Sequence, residues 1–243
     1  MTFAPSRLIA SLVLSAASVA AAAAPVTPTF TTFGDLTGAT FGGSGIPTSA
    51  TAITTNGSLT LGLTAQQRYT GPNLGNDGAG TFTAVPGFGI APASTWNFAF
   101  YINDSNSALN QNGLTYKLLY DRDAGVGTQE SALGVWDLNT TWALLPFIQP
   151  GFSVGNTYQD SENLSFGFLS GSPFTSTTQG AYDPAANGEY SFALVAYDAA
   201  GSEVARSAIL VDVGNADVPE PASIALLGFG LAGLGFMRRK AQK

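Results

Sequence analysis

The chain has 243 residues, of which 45% are apolar and only 10% are charged, whereas about 25% are charged in a typical soluble domain. It contains no cysteine and no histidine, which excludes disulfides, thiolate or imidazole metal sites, and Ser-His-Asp or Cys-His catalysis. The net charge is −7, and the sequence has no basic stripe of the kind that binds nucleic acid. We therefore expect neither an enzyme nor a nucleic-acid partner.

The first 24 residues are typical of a secretory signal peptide. Arg7 supplies the positive charge, residues 8–19 form a short apolar core, and alanines occupy positions 20–24, where signal peptidase accepts small residues. A buried core helix is the alternative. The location at the N-terminus and the alanine run favour a signal helix that signal peptidase removes.

The last 26 residues, 218–243, repeat this layout in reverse. An apolar run at 222–237 is followed by Arg238, Arg239 and Lys240. Sixteen helical residues span roughly 24 Å, slightly less than the ~30 Å hydrocarbon core, and arginine side chains can reach the interface. We expect a transmembrane helix at 222–237 with a cytoplasmic basic tail, which leaves the rest of the chain outside.

Pro219, Glu220 and Pro221 directly precede the apolar run. A Val-Pro-Glu-Pro motif, a short Gly- and Leu-rich span and a terminal basic cluster together resemble the PEP-CTERM sorting signal. The resemblance implies that exosortase, a membrane cysteine-protease-like enzyme of Gram-negative bacteria, recognises these three residues. It further implies export across the inner membrane, transient anchoring, release to the cell surface or extracellular space, and an association with extracellular polysaccharide and biofilm. A simple tail anchor is the alternative.

Residues 25–217 form the predicted ectodomain. They contain four basic and fifteen acidic residues, so the charge of this body is −11, and the basic ends reduce it to −7 for the whole chain. Such a charge keeps an exported protein soluble through self-repulsion. The body is long enough for one enlarged sandwich or two small ones; no linker-like stretch divides it, and we expect one domain.

Short segments with apolar and aromatic residues, separated by turn residues, predict an all-β fold. A hairpin turn is expected at residues 198–201, and no stretch between the two ends shows helical periodicity over about 12 residues. The expected architecture is a β-sandwich, either immunoglobulin-like or an enlarged jelly roll. The predicted strands cover residues 95–102, 114–120, 133–138, 164–169, 188–197 and 203–213.

Residues 187–192, Asn-Gly-Glu-Tyr-Ser-Phe, resemble the start of strand F in immunoglobulin-like domains. The resemblance implies that Tyr190 is a tyrosine-corner residue, two positions before a core residue. Together with residues 78–81, 119–127 and 134–137, the body also looks like bodies that recur on PEP-CTERM proteins. That likeness implies no biochemical activity.

Asp121, Asp123 and Glu130 form the acidic cluster with the best spacing for a cation. Hard cations take carboxylate oxygens at alternate positions, so Ca²⁺ is the only cofactor that the sequence suggests. The EF-hand pattern fails because Val126 and Ala132 occupy its required Gly and Glu positions. The alternative is a loop whose Asp side chains cap backbone N–H groups and whose arginine pairs locally.

Trp96, Trp136 and Trp142, with Tyr120 and Tyr158, could form a sugar-stacking surface, although core packing is the alternative for aromatic residues on strands. The chain is therefore predicted to be an exported, non-enzymatic surface or extracellular-matrix protein. A carbohydrate-binding module for a co-secreted polysaccharide is the second hypothesis. A divergent hydrolase that uses two carboxylates is the third.

Overall fold

The computed structural model describes residues 24–43, 45–69, 73–90 and 92–214. The predicted signal helix, the sorting motif and the predicted transmembrane helix lie outside these residues. Among the described residues, no helix has the length and apolar character needed to cross a membrane.

Within the described residues, the chain forms twelve strands, one α-helix (α1, Leu138–Ile148) and two 3-10 turns, at Glu130–Ala132 and Gly167–Ser170. The strands are β1 (Thr32–Gly34), β2 (Thr51–Asn56), β3 (Leu59–Gln67), β4 (Gly75–Asn76), β5 (Thr81–Ala84), β6 (Trp96–Asp104), β7 (Thr115–Tyr120), β8 (Gly134–Asp137), β9 (Thr157–Glu162), β10 (Thr175–Ser176), β11 (Gly188–Tyr197) and β12 (Glu203–Val213).

These strands form two sheets, which confirms the predicted all-β sandwich. One sheet has the order β1-β2-β3-β6-β9, and the other has the order β10-β8-β7-β11-β12-β5-β4. The β5–β12 pair is parallel, and every other strand pair in the described residues is antiparallel. The inner faces meet in one large aromatic and aliphatic core.

The outer faces of both sheets are also partly covered. On β6, Phe98 and Phe100 point into the main core, whereas Ala99 and Tyr101 belong to a second cluster with Phe41 from the loop between β1 and β2. A third cluster places Val26, from the N-terminal segment, against the outside of the seven-stranded sheet. Because both faces are buried, the central strands are apolar at successive positions rather than strictly alternating.

The hairpin between β11 and β12 matches its prediction. Asp198 Oδ1 accepts hydrogen bonds from the backbone N–H groups of Ala200 and Ser202, both at 2.9 Å. Gly201 adopts a φ of 80°, which favours glycine. Tyr190 is buried two positions before the core residue Phe192, but in the described part of the chain its hydroxyl makes no hydrogen bond of the tyrosine-corner kind.

The prediction of a strand at residues 164–169 is wrong. Backbone hydrogen bonds from Phe166 to Asn163 (2.9 Å) and from Leu169 to Phe166 (3.1 Å) fold this segment into consecutive turns. These local bonds satisfy N–H groups that would otherwise pair with a neighbouring strand. Leu164 and Leu169 still enter the core, which accounts for the apolar pattern.

Helix α1 was not predicted from the sequence. Asp137 caps its N-terminus, with Oδ1 accepting from the Thr140 N–H at 2.8 Å. Trp142 faces the core, but Phe147 and Ile148 at the other end are exposed. Apolar residues on both faces removed the amphipathic periodicity that identifies a helix in sequence.

The side-chain amide of Asn163, just after β9, is fully buried. Its Nδ2 donates to the Trp96 carbonyl (2.8 Å), the Ser94 carbonyl (3.2 Å) and Asn97 Oδ1 (2.8 Å). Its Oδ1 accepts from the N–H groups of Ser94 (3.2 Å) and Ser165 (3.1 Å) and from the Ser94 hydroxyl (3.1 Å). One amide thus joins the end of β9 to the start of β6.

We expect Asn163→Leu to destabilise the fold by about 2–4 kcal/mol, because a side chain of similar volume leaves several buried polar groups without partners. Urea unfolding of the full-length chain measures the change. The exposed Asn110, replaced by Leu, is the control and should shift stability by less than about 0.5 kcal/mol. Equal effects of the two substitutions would contradict a structural role for the Asn163 amide.

Candidate functional site

A cleft of about 340 Å³ opens where β3 ends and β6 begins. Gln66 on β3, Asn97 on β6 and Ser161 on β9 form its floor, on three neighbouring strands. Residues 41–43 and 45–47 form one wall, and Arg68, Tyr69 and Phe166 line the cleft as well. The register of β3, β6 and β9 therefore brings polar side chains from distant parts of the sequence together.

Hydrogen bonds fix the floor of the cleft. Gln66 Nε2 donates to Ser161 Oγ at 2.8 Å, and Asn97 Nδ2 donates to the same oxygen at 3.1 Å. Asn97 is itself held by Asn163, through its Oδ1. In the described part of the chain, Gln66 Oε1 is buried and has no donor. The floor is thus polar and rigid.

The rim carries an exposed aromatic ring. Tyr69 is 72% exposed and adopts a φ of 62°, a conformation that is uncommon for a bulky residue. The Arg68 guanidinium lies 4.8 Å from the centre of the Tyr69 ring and 5.2 Å from that of Phe166, within cation–π range. Arg68 Nη2 also donates to the Tyr69 hydroxyl at 3.1 Å, and this contact supports the ring.

Two carboxyls lie together on β9. Asp160 lines the cleft, and Glu162 lies two positions further along the same strand. Burial, followed by the charge of Asp160, raises the pKa of Glu162 to about 8, and burial also raises the pKa of Asp160. Gly42 approaches closely: with its φ of 74°, a Cβ there would be 3.0 Å from Asp160 Oδ1.

The three tryptophans do not form a stacking surface. Trp96, Trp136 and Trp142 are each at most 5% exposed and belong to the main core. Trp96 packs on Tyr190, and Trp142 packs between Tyr116 and Tyr158. The stacking prediction is wrong because these side chains lie on the inner side of the sandwich, where no ligand reaches them.

The structure does not assemble the predicted calcium ligands. Asp121 Oδ1 accepts from Gln179 Nε2 at 2.7 Å and from the Asp123 N–H at 3.0 Å. The oxygens of Glu130 instead accept from the Arg206 guanidinium at 2.9 and 3.0 Å. No group of three acidic side chains suited to a metal occurs in the described residues. Calcium binding stays a prediction.

The aspartates of this loop have structural partners. Asp123 Oδ1 accepts from the Gly125 N–H at 2.8 Å, so the aspartates cap backbone groups, as the alternative interpretation expected. Arg122, however, is buried and forms no ion pair within the described part of the chain. Burial lowers the pKa of its guanidinium.

The last strand of the described residues, β12, ends at Val213. Residues 217–240, which begin four positions later, match the PEP-CTERM protein-sorting motif. The chain carries a PEP-CTERM sorting signal. The match includes Pro219, Glu220, Pro221, Arg238, Arg239 and Lys240, all outside the described residues, and it confirms the predicted sorting signal, whereas the transmembrane helix stays a prediction. No curated protein matches the chain.

A PEP-CTERM signal marks an exported protein that exosortase sorts at the membrane. Sequence reasoning found this signal but missed the cleft. Asp160 and Glu162 are two residues apart, so in a strand they lie on one face. This spacing could have indicated the acidic pair from the sequence. No sequence pattern marks Tyr69 or Gln66 as cleft residues, because the cleft depends on the pairing of distant strands.

We expect the stability of the fold to decrease as the pH rises from about 4.5 to about 8, because the folded protein keeps a proton on Glu162 that the unfolded chain releases near its ordinary pKa of 4.5. The loss is up to about 4 kcal/mol for this shift. Glu162→Gln mimics the protonated side chain and should remove most of this slope. Thermal unfolding at pH 5 and pH 8.5 measures it.

The exposed Asp183→Asn serves as the control, since an amide oxygen can still accept from the Ala185 N–H, and it should leave the slope of stability against pH unchanged. A Glu162→Gln variant that loses stability with pH as steeply as the unmodified chain would contradict the buried, protonated state of Glu162.

Proposed function

We propose that this PEP-CTERM protein is a non-enzymatic component of the cell surface or extracellular matrix of a Gram-negative bacterium. The signal peptide at residues 1–24 directs its export, and exosortase processes it at Pro219, Glu220 and Pro221. The observation that carries the proposal is the sorting motif at residues 217–240. The acidic body and its largely covered sheets support a stable extracellular domain.

The way β12 ends supports processing next to the folded body. β12 lies between β11 and β5 inside the seven-stranded sheet, and the Gly214 N–H donates to the Ala84 carbonyl at 2.9 Å. We call this end of the sandwich, at Gly214 and Ala84, the exit end. Pro219 is five residues beyond Gly214, so an extended chain reaches at most about 18 Å. Cleavage there removes the apolar run but leaves β12 in the sheet.

The carboxylates of the cleft also support a non-enzymatic role. Glycosidases hold two carboxyls about 5 to 9.5 Å apart, on either side of the scissile bond. In the described residues, Asp160 is the carboxylate that lines the cleft, and Glu162 does not line it. A single carboxylate on one wall suits binding better than acid–base hydrolysis.

Processing predicts that protein from the cell surface lacks the residues beyond about Pro221. Glu220→Ala should abolish this truncation, because exosortase would no longer recognise the motif, and the full C-terminal mass should persist. Intact-mass spectrometry of the surface and membrane fractions distinguishes the forms. Glu203→Gln, on the folded body, is the control and should be processed normally.

Surface protein that still contains Arg238 and Lys240 in the unmodified chain would contradict the processing proposal. A host without exosortase should accumulate the same unprocessed form as Glu220→Ala.

Binding of extracellular polysaccharide is a second candidate function, and the cleft favours it. An exposed tyrosine ring beside amide, hydroxyl and carboxylate groups provides both a flat apolar surface and hydrogen-bonding partners, which together suit a sugar ring. The cleft, and not the buried tryptophans, is therefore the candidate surface for stacking against a sugar ring. It connects the PEP-CTERM signal with an association with exopolysaccharide or biofilm.

A glycan array tests this second candidate with the full-length chain. We expect Tyr69→Ala to weaken glycan binding roughly tenfold, because one aromatic contact is worth about 1.4 kcal/mol. Phe147→Ala is the matched control, since Phe147 is 83% exposed but lies outside the cleft. Equal binding by the two variants would exclude the cleft as the glycan site.

A further inference from the structure

The loop between β5 and β6 exposes apolar side chains at the exit end. Val85, Phe88 and Ile90 are 70%, 60% and 69% exposed. We call residues 85–90 the apolar loop. No charged residue occurs in the sequence between Asp77 and Asp104, so the loop itself is neutral within a strongly acidic body.

Hydrogen bonds hold the apolar loop in place. The Thr95 hydroxyl donates to the Val85 carbonyl at 2.6 Å. The Gly87 N–H donates to the Pro184 carbonyl at 2.6 Å, and the Gly89 N–H donates to the Ala93 carbonyl at 2.7 Å. The exposed side chains are therefore presented by a fixed backbone rather than by an unsupported loop.

The apolar loop lies where the chain leaves the body. Val85 directly follows Ala84, whose carbonyl accepts the Gly214 N–H. The apolar run begins at Ala222, eight residues beyond Gly214, and eight extended residues reach at most about 29 Å. Once that run is in a membrane, the exit end stays close to the lipid surface.

The other exposed apolar pair lies at the opposite end of the sandwich. Phe147 and Ile148 end α1, and Trp142 of the same helix packs on Tyr116. Tyr116 pairs with Ala196 on β11. Gly188, at the start of β11, lies eight residues before Ala196 and pairs with Val213 at the exit end. Eight strand residues correspond to about 26 Å. A membrane at the exit end therefore contacts the apolar loop and not α1.

We propose that the apolar loop contacts the lipid surface while the precursor is held at the membrane. This inference rests on the proposed function, because it requires residues 222–237 to be in the bilayer. Three side chains offer far less than the roughly 800 Å² per partner that a stable protein interface buries. They suit a weak lipid contact that becomes effective once the chain is tethered. The contact orients the exit end, and with it the sorting motif, toward the membrane.

The absence of cysteine in the sequence allows each position to be labelled specifically. Phe88→Cys and Phe147→Cys in the full-length chain are labelled with the same environment-sensitive fluorophore. Each is reconstituted into phosphatidylcholine vesicles, with or without lipids that carry a quencher near the headgroup. We expect at least threefold stronger lipid quenching, together with a blue-shifted emission, at position 88 relative to position 147. Both labelled variants should unfold at the temperature of the unmodified chain.

Flotation of the vesicles separates the two ideas being tested. Protein that does not float with the lipid overturns both the membrane anchorage and the loop contact. Protein that floats but shows equal quenching at the two positions overturns the loop contact alone. The label at position 88 could instead show a blue shift that lipid quenchers do not affect and that grows with protein concentration. That result would assign the loop to a contact between copies and would also overturn the lipid proposal.

Discussion

The buried amide of Asn163 holds together the end of the sandwich on which the functional features lie. It makes hydrogen bonds to both sides of the junction between β9 and β6, and through Asn97 it extends into the floor of the cleft. The Ser161 hydroxyl, which accepts from Asn97 and Gln66, completes this row. Core stability and cleft geometry therefore depend on the same network, because a buried polar network is favourable only when its members are satisfied together.

The apolar loop and the rim of the cleft, two surface features that core packing does not require, both lie at the exit end. A chain of hydrogen bonds links its parts: Gly214 to Ala84, Thr95 to Val85, and the Arg68 N–H to the Thr95 carbonyl at 2.8 Å. The end of β12, the apolar loop and the rim of the cleft thus form one continuous region. Elsewhere the outer faces are partly covered, by the segment around Phe41 on one sheet and by Val26 on the other.

Charge divides the protein into a strongly acidic body and basic ends. Several of the body's carboxyls are engaged rather than free: Glu130 and Glu203 share Arg206, and Asp198 caps the hairpin turn. Asp160 and Glu162 differ, because burial raises the pKa of both carboxyls. Asp160 lines the cleft, and the net charge of the body does not reveal this burial.

The sequence by itself determined the sorting signal and the β11–β12 hairpin, because both depend on neighbouring residues: a motif beside an apolar run, and a turn between two apolar segments. It also indicated the sandwich class. Only the tertiary structure decided what covers each apolar face, and so it placed Trp96, Trp136 and Trp142 in the core and formed the cleft from Gln66, Tyr69 and Asp160. The pairing of Glu130 with Arg206, 76 residues apart, and the turns at 164–169 were decided in the same way. Periodicity reveals which side chains share a face, but the partner of that face is set by strand register and loop packing, which connect residues too distant in sequence for any local pattern to record.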